Sequence, residues 1–207
     1  MNKLDHLLWA CANLDDAASQ LQVLSGATVH RGGSHPGGGT RNALLGLNNT
    51  TYLEIIGPDP EQDISGTHGE LMASLPKPRL ITYAVTCADF NMTKTKLNAI
   101  GLTMGAPVAA SRELEDGQLL HWQSASIAGH DFGPFVPFLI NWGDSPHPSA
   151  SLAPECKLAD FSLKHPNADG LNQVLTALQL DIRCETGSAD MYASITTPAG
   201  DISLGST

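Results

Sequence analysis

Positive charge is scarce in this sequence: 11 Lys and Arg stand against 21 Asp and Glu, for a formal net charge of −10, and no basic cluster occurs. A polyanion is bound by displacing its counterions with many cationic contacts, so nucleic acid and anionic membrane surfaces are excluded as expected partners. Long apolar runs are missing as well. The opening stretch MNKLDHLLWACANLDD is too short in its apolar part for a signal peptide or a membrane span, which predicts a cytoplasmic protein. Cysteine is sparse and scattered: Cys11, Cys87, Cys156 and Cys184 form no C-x-x-C pair, so the spacing of a structural zinc site is absent. Reduced thiols are expected, with Cys11 and Cys87 acting as small buried hydrophobes in strands. What remains is 42% apolar content in 207 residues, enough for one globular unit of one or two domains with a buried core.

Hydrophobic period gives a recurring order of strand, amphipathic helix and further strands. LDHLLWACA reads as a strand and Asn13 as a helix cap, with Asp15 and Asp16 at the positive end of the helix. Leu14, Ala17, Ala18, Leu21 and Leu24 form its apolar stripe, and Gly26 stops it. ATVHRGG, RNALLGL and TYLEII follow, the last two joined by a turn at Asn48-Asn49-Thr50. A second copy begins after LPKPR with LITYAVTCA, cap Asp89 and stripe Phe90, Leu97 and Ile100. It continues through APVAASREL, LLHWQSASIA and FVPFLINW, with a turn signal at Glu115-Asp116-Gly117. A third opens at LADFSLKHP with cap Asn167 and stripe Leu171, Val174, Leu175 and Leu178, and closes with DIRCET, DMYASITTP and GDISLG. The three caps lie roughly 77 residues apart. Strands in runs of three after each helix argue against a doubly wound parallel sheet. They predict an α+β fold of repeated βαβββ modules in mixed, mostly antiparallel, curled sheets forming a cleft. The expected boundaries are 1–60 and 78–147 for two modules within a domain at 1–147, then a third, partial βαββ module packed on it at 148–207.

LDHLLWACANLDDAASQL, GGSHPGGGTRNALL and TYLEIIGPDP, in that order, resemble the glyoxalase-like domain of the vicinal oxygen chelate superfamily, and PFLINWGD is similar to the family's second-module ending. The resemblance covers nearly the whole chain. It implies paired βαβββ modules curled around a cleft that commonly holds a divalent metal (Zn, Ni, Mn or Fe), and it makes a homodimer an expectation.

It also implies ligands on the first and last strands of each module. In module one these positions fall on His6 and Glu54. Strand alternation places Leu4, His6 and Leu8 on one face and Asp5, Leu7 and Trp9 on the other, with Tyr52, Glu54 and Ile56 sharing a face. A carboxylate between Leu53 and Ile55 is costly to bury without a partner, and a metal or a protonated His6 would be one. Three roles stay open for His6: metal ligand, metal-free catalytic or binding group, and structural hydrogen bonder. Module two puts Thr82 and Leu139 at the corresponding positions, neither a useful ligand, and module three offers Asp160 on what reads as an added sheet. The four-ligand shell is therefore half missing, with His35 or His121 as a possible third donor. Only one of His121 and Trp122 can face the cleft. His30, His68, His130, His147 and His165 lie near turns or polar stretches and are expected to be exposed.

The glycines of GGSHPGGGT sit between two strands with Gly39, not Lys, before Thr40, so neither a phosphate loop nor a dinucleotide fingerprint fits. They supply backbone that can approach a ligand closely. His35, Arg41 and Asn42 at this rim, with Trp122, are candidate substrate-binding residues, and Arg41 offers a fork of donors for an oxyanion. Trp9, Trp122 and Trp142 are core candidates unless they face the cleft, where they would favour a flat or apolar ligand. The expected function is metal-assisted isomerase, lyase or dioxygenase chemistry on a small molecule with adjacent oxygens, with Glu54 as the catalytic proton shuttle. The alternative is a metal-free protein that sequesters a small molecule in the same cleft.

Overall fold

The computed structural model describes residues 2–113, 117 and 119–207, with Glu113 described in its backbone alone. The first module comprises β1 (Leu4–Ala10), α1 (Leu14–Ser25), β2 (His30–His35), β3 (Thr40–Gly46) and β4 (Tyr52–Pro58). A short helix α2 (His68–Ala73) leads to the second: β5 (Arg79–Thr86), α3 (Phe90–Asn98), β6 (Thr103–Met104), β7 (Val108–Glu113), β8 (Leu119–Ala125), β9 (Ile127–Ala128) and β10 (Phe138–Asn141). The last segment holds β11 (Lys157–His165), α4 (Ala168–Ala177), β12 (Cys184–Thr186), β13 (Asp190–Thr197) and β14 (Gly200–Gly205). Residues 115 and 116 of the turn expected between β7 and β8 lie outside the described residues.

Eight strands form one sheet in the order β2-β3-β4-β1-β5-β10-β8-β7. Each module contributes half, and its last strand lies parallel to its first: β1 beside β4, and β5 beside β10. The remaining pairings are antiparallel, including the β1–β5 seam between modules. The sheet curls until its two edges approach. A Cβ on Gly32 of β2 would stand 2.9 Å from Nη1 of Arg112 on β7.

The helix caps are those the sequence predicts. Asn13, Asp89 and Asn167 accept from the backbone N–H of Asp16, Met92 and Gly170 respectively, satisfying donors that the first turn leaves free. Gly26 ends α1 in the left-handed region at φ 65°. Two stripe expectations fail. Leu24 is 64% exposed, because the buried line Leu14-Ala17-Leu21 continues through Ser25, and Leu24 lies about 60° round the helix from Leu21. Ile100 follows the last turn of α3 and is also exposed.

The convex face of the large sheet is apolar. Leu7, Leu53, Ile55, Tyr83, Val85 and Leu139 pack there under α1 and α3 in a cluster that continues into Leu163, Leu171, Ala193 and Ile195 of the last segment. The Tyr83 and Phe161 rings meet edge-on at 5.0 Å across this boundary. DIRCET, DMYASITTP and GDISLG each carry a strand of the last segment, β12, β13 and β14, one strand more than a partial βαββ unit. Its order, β12-β11-β13-β14, differs from that of the other modules, and it forms a separate sheet. All four cysteines are free and buried, and burial pushes the Cys11 thiol up to about 12.

Helix α2 was not anticipated, although Thr67 and Glu70 carry the spacing of a capping pair. Thr67 Oγ1 accepts from the Gly69 N–H, and Glu70 Oε2 accepts from the Gly66 N–H at 2.8 Å. This helix pins the glycine loop: a side chain at Gly69 would run into the Gly39 carbonyl, and one at Gly39 into Thr67. Asp59, bonded by Ser34 and Gln62, ties down the other side.

Candidate active site in the cleft

The concave face carries the polar groups, and the seam strand β1 positions the first two. On its β4 side the register is regular, with His6 opposite Tyr52 and Leu8 opposite Glu54. On its β5 side the pairing slips between Leu4 and His6. A slip of this kind re-aims side chains. It overturns the simple alternation that put Asp5 on the far face, for Asp5 Oδ1 lies 2.6 Å from His6 Nδ1. Asp5 is fully buried. The indole N–H of Trp142 donates to its Oδ2 at 3.1 Å, and His147 Nε2 lies 3.2 Å from the same oxygen. Burial alone would push this carboxyl up, but the bonds from His147 and His6 outweigh it and hold Asp5 well below the usual carboxylate range. An ionised Asp5 can only accept. His6 Nδ1 therefore carries a proton, and Nε2 faces Glu54, whose Oε2 is 3.5 Å away. Tyr52 stacks on the imidazole at 4.6 Å and fixes its plane.

Asn42 joins the two modules. Its Nδ2 donates to Glu54 Oε1 at 2.6 Å and sits 3.3 Å from His35 Nε2, while its Oδ1 accepts from Arg112 Nη1 at 3.2 Å. His35 Nδ1 faces Thr40 Oγ1 at 3.0 Å. Burial lowers the His35 pKa below its ordinary value, against the attraction of Glu54, so the ring is neutral with Nε2 as an acceptor. Around these groups Tyr52, Trp122, Phe138, Ile140 and Trp142 wall a cavity of about 210 Å³, with the exposed His68 at its rim. The Trp122 and Trp142 rings lie 5.3 Å apart.

Five expected site residues thus converge here: His6, Glu54, His35, Asn42 and Trp122. Two do not. Arg41 is on the opposite face of β3 from Asn42 and pairs with Asp15 at 2.8 Å, because neighbouring strand residues alternate. His121 is exposed on the reverse of Trp122, which removes it as a third donor. In module two, parallel register sets Ala84 opposite Phe138, just as Leu8 stands opposite Glu54. Phe138, not Leu139, therefore occupies the Glu54 position, and Leu139 is in the core behind the sheet. The Thr82 hydroxyl donates to the Pro134 carbonyl, and Asp160 is exposed in the separate sheet. His147 was expected to be exposed and instead packs against Asp5. Arg112 was missed. Its signal was present, since the register facing Ala110 with Trp122 and Arg112 with Leu120 puts Arg112 on any face that Trp122 shares.

Residues 4–179 match the model of the glyoxalase-like domain family. The chain belongs to that family. Among solved structures, this glyoxalase-like protein is similar to a hypothetical protein from Staphylococcus aureus, 20% identical, with 99% of this chain and 85% of that one covered and a TM-score of 0.69. It is also similar to a methylmalonyl-CoA epimerase in complex with methylmalonyl-CoA and ammonium, 19% identical, with coverages of 72% and 99% and a TM-score of 0.51. A variant of the Streptomyces coelicolor methylmalonyl-CoA epimerase in complex with 2-nitronate-propionyl-CoA gives 20% identity, coverages of 70% and 97%, and a TM-score of 0.50. These likenesses show a shared fold. No curated protein sequence matches the chain.

Members of the vicinal oxygen chelate superfamily that the sequence resembles commonly hold a divalent metal, but the donor set here does not fit one. His6 has the form of a ligating histidine, with Nδ1–H held by a carboxylate. Glu54 Oε1 and His35 Nε2, however, already face the Asn42 amide nitrogen, and the module-two positions are Thr82 and Phe138. Among the described residues no three His, Cys, Asp or Glu side chains are arranged to hold a metal. Zn, Ni, Mn and Fe(II) sites use three or more protein ligands, and this glyoxalase-like site does not supply them.

The lowered His35 pKa predicts a pH effect. A depressed folded value contributes stability that is complete above the unfolded pKa of about 6.5 and is lost as pH falls through the folded value. Melting temperature should drop between neutral pH and pH 5 more in the parent than in His35→Gln, and parallel curves would contradict the buried, neutral ring.

Proposed function

We propose that this protein is a small-molecule enzyme that moves a proton on a substrate with adjacent oxygens, in the manner of an isomerase or lyase. The observation that carries this reading is the pairing of Glu54 Oε2 with His6 Nε2 at 3.5 Å in a buried, aromatic-walled cavity, with His6 oriented by Asp5. Glu54 takes a proton from a carbon next to a carbonyl, and the electron pair of that C–H bond moves onto the carbonyl oxygen to give an enediolate. The protonated Glu54 gives that proton to a neighbouring atom, and the electron pair on the oxygen re-forms a carbonyl. Dioxygenase chemistry is not part of the proposal, since an iron site would need the ligands that Thr82 and Phe138 do not provide.

A metal-free binding protein is the second reading, favoured by Phe138 and the two tryptophans lining the cavity. The reading takes small molecules as partners. No described helix is long and apolar enough to cross a membrane. A cytoplasmic location, as the sequence predicts, is part of the proposal, and the superfamily resemblance adds a homodimer. The test is proton NMR in D2O on charged and uncharged carbonyl compounds bearing a neighbouring oxygen, before and after dialysis against EDTA. Catalysed exchange that survives EDTA is expected. Loss that one divalent metal restores would return the metal-assisted mechanism.

A further inference from the structure

Arg112 raises a question that the proton-transfer pair does not answer. Its side chain comes from β7, at the opposite edge of the sheet from the glycine loop, and lines the same cavity as Glu54 and His6. The residue is 4% exposed. A guanidinium keeps its charge in proteins, and a buried charge ordinarily has an ionic partner. Here, among the described residues, no carboxylate lies within ion-pair distance. Nη1 donates to the neutral amide oxygen of Asn42, and Nε has no partner among the described residues. The Glu54 carboxylate stands behind Asn42, which uses its own nitrogen to bond it. Gly32 leaves space for this arrangement, since a Cβ there would run into the Asn42 amide and close on Nη1.

We propose that Arg112 anchors a substrate carboxylate, so that the molecule processed beside Glu54 is a small carboxylic acid carrying an oxygen on the neighbouring carbon. This deepens the proton-transfer reading and rests on it for the chemistry, though not for the binding. One guanidinium matches a monoanion in charge, and its planar fork matches a carboxylate in shape. A phosphate dianion would meet the Glu54 carboxylate in the same cavity. The cavity of about 210 Å³, below the roughly 300–1,000 Å³ of sites for drug-sized ligands, has room beside Glu54 for the carboxylate and a few carbons.

Calorimetric titration of the full-length protein with acetate, glycolate, lactate and pyruvate, each against its amide, and with inorganic phosphate, tests this. At least one acid should bind about tenfold or more tightly than its amide, the difference a charge-assisted pair supplies. Arg112→Gln should bring that acid down to the level of its amide, Arg112→Lys should recover part of the gap, and Glu54→Gln should bind the acid as tightly as the parent or more so. Acids and amides that bind alike, acids that do not bind at millimolar concentration, undiminished binding to Arg112→Gln, or phosphate as the preferred anion would each overturn the proposal. Should Arg112→Gln fail to fold, the acid-against-amide comparison on the parent decides the matter. If Glu54→Gln exchanges protons as fast as the parent while the acid preference stands, the proton-transfer reading fails and the anchor survives.

Discussion

Glu54→Gln is expected to leave the fold intact and remove turnover. Glutamine has the shape of glutamate, and its amide oxygen can still accept from Asn42 Nδ2 at the 2.6 Å position. The melting temperature should therefore move by only a few degrees, as about 1 kcal/mol would cause in a chain of this size. What the amide cannot do is hold a proton taken from carbon. Positioned general acid–base groups contribute about 10²–10⁴-fold to rate, and the loss in kcat should fall in that range, with KM changed far less. Full activity in Glu54→Gln, measured as the rate of deuterium uptake, would remove Glu54 from the chemistry.

Asp5→Asn should have the second-largest effect, on rate and stability together. The carboxylate receives donors from His6 and Trp142, with His147 close by, and it is fully buried. An asparagine turns one acceptor into a donor. Either it faces another donor, or His6 gives up its Nδ1 proton and carries one on Nε2, aimed at Glu54. That change occupies the base, and losing an orienting partner of this kind costs about 10–100-fold in activity. An unpaired buried donor costs about 1–3 kcal/mol. The pH dependence has a definite sign. Asp5 is depressed in the folded state, so its contribution is complete above the unfolded value of about 3.9 and fades as pH falls towards the folded one. Denaturation midpoints of parent and variant should differ at neutral pH and converge in acid. A constant difference would mean that the Asp5 charge contributes nothing.

The sequence carried the modules well because their signals are local. Asn13, Asp89 and Asn167 cap where expected, since a cap needs only its own first turn. Glu54, Asn42 and Trp122 meet in the cavity because period-two alternation survives along β3, β4 and β8, His6 because β1 keeps its parallel register with β4, and His35 joins them from the end of β2. The misses come from longer-range causes. Asp5 reaches the site through a register slip between β1 and β5, which depends on a strand some 75 residues away. Phe138 rather than Leu139 faces the cleft by a single residue of register, and such a slip exchanges faces. Arg41 shows how little loop adjacency decides, since it neighbours Asn42 in sequence yet pairs with Asp15 on the other side of the sheet. Arg112 joins Asn42 only because the sheet curls far enough to bring its edges together, and no window of sequence encodes that closure.

Turnover by the Glu54–His6 pair is the central claim, and one measurement separates it most directly from sequestration. Protein is mixed in D2O with a hundredfold excess of the acid that binds best, and the signal of the C–H next to its carbonyl or carboxyl carbon is followed by proton NMR. The account predicts that the signal disappears from the entire pool with the parent protein and persists with Glu54→Gln. A signal that stays constant for the parent, or fades equally for both, would contradict it.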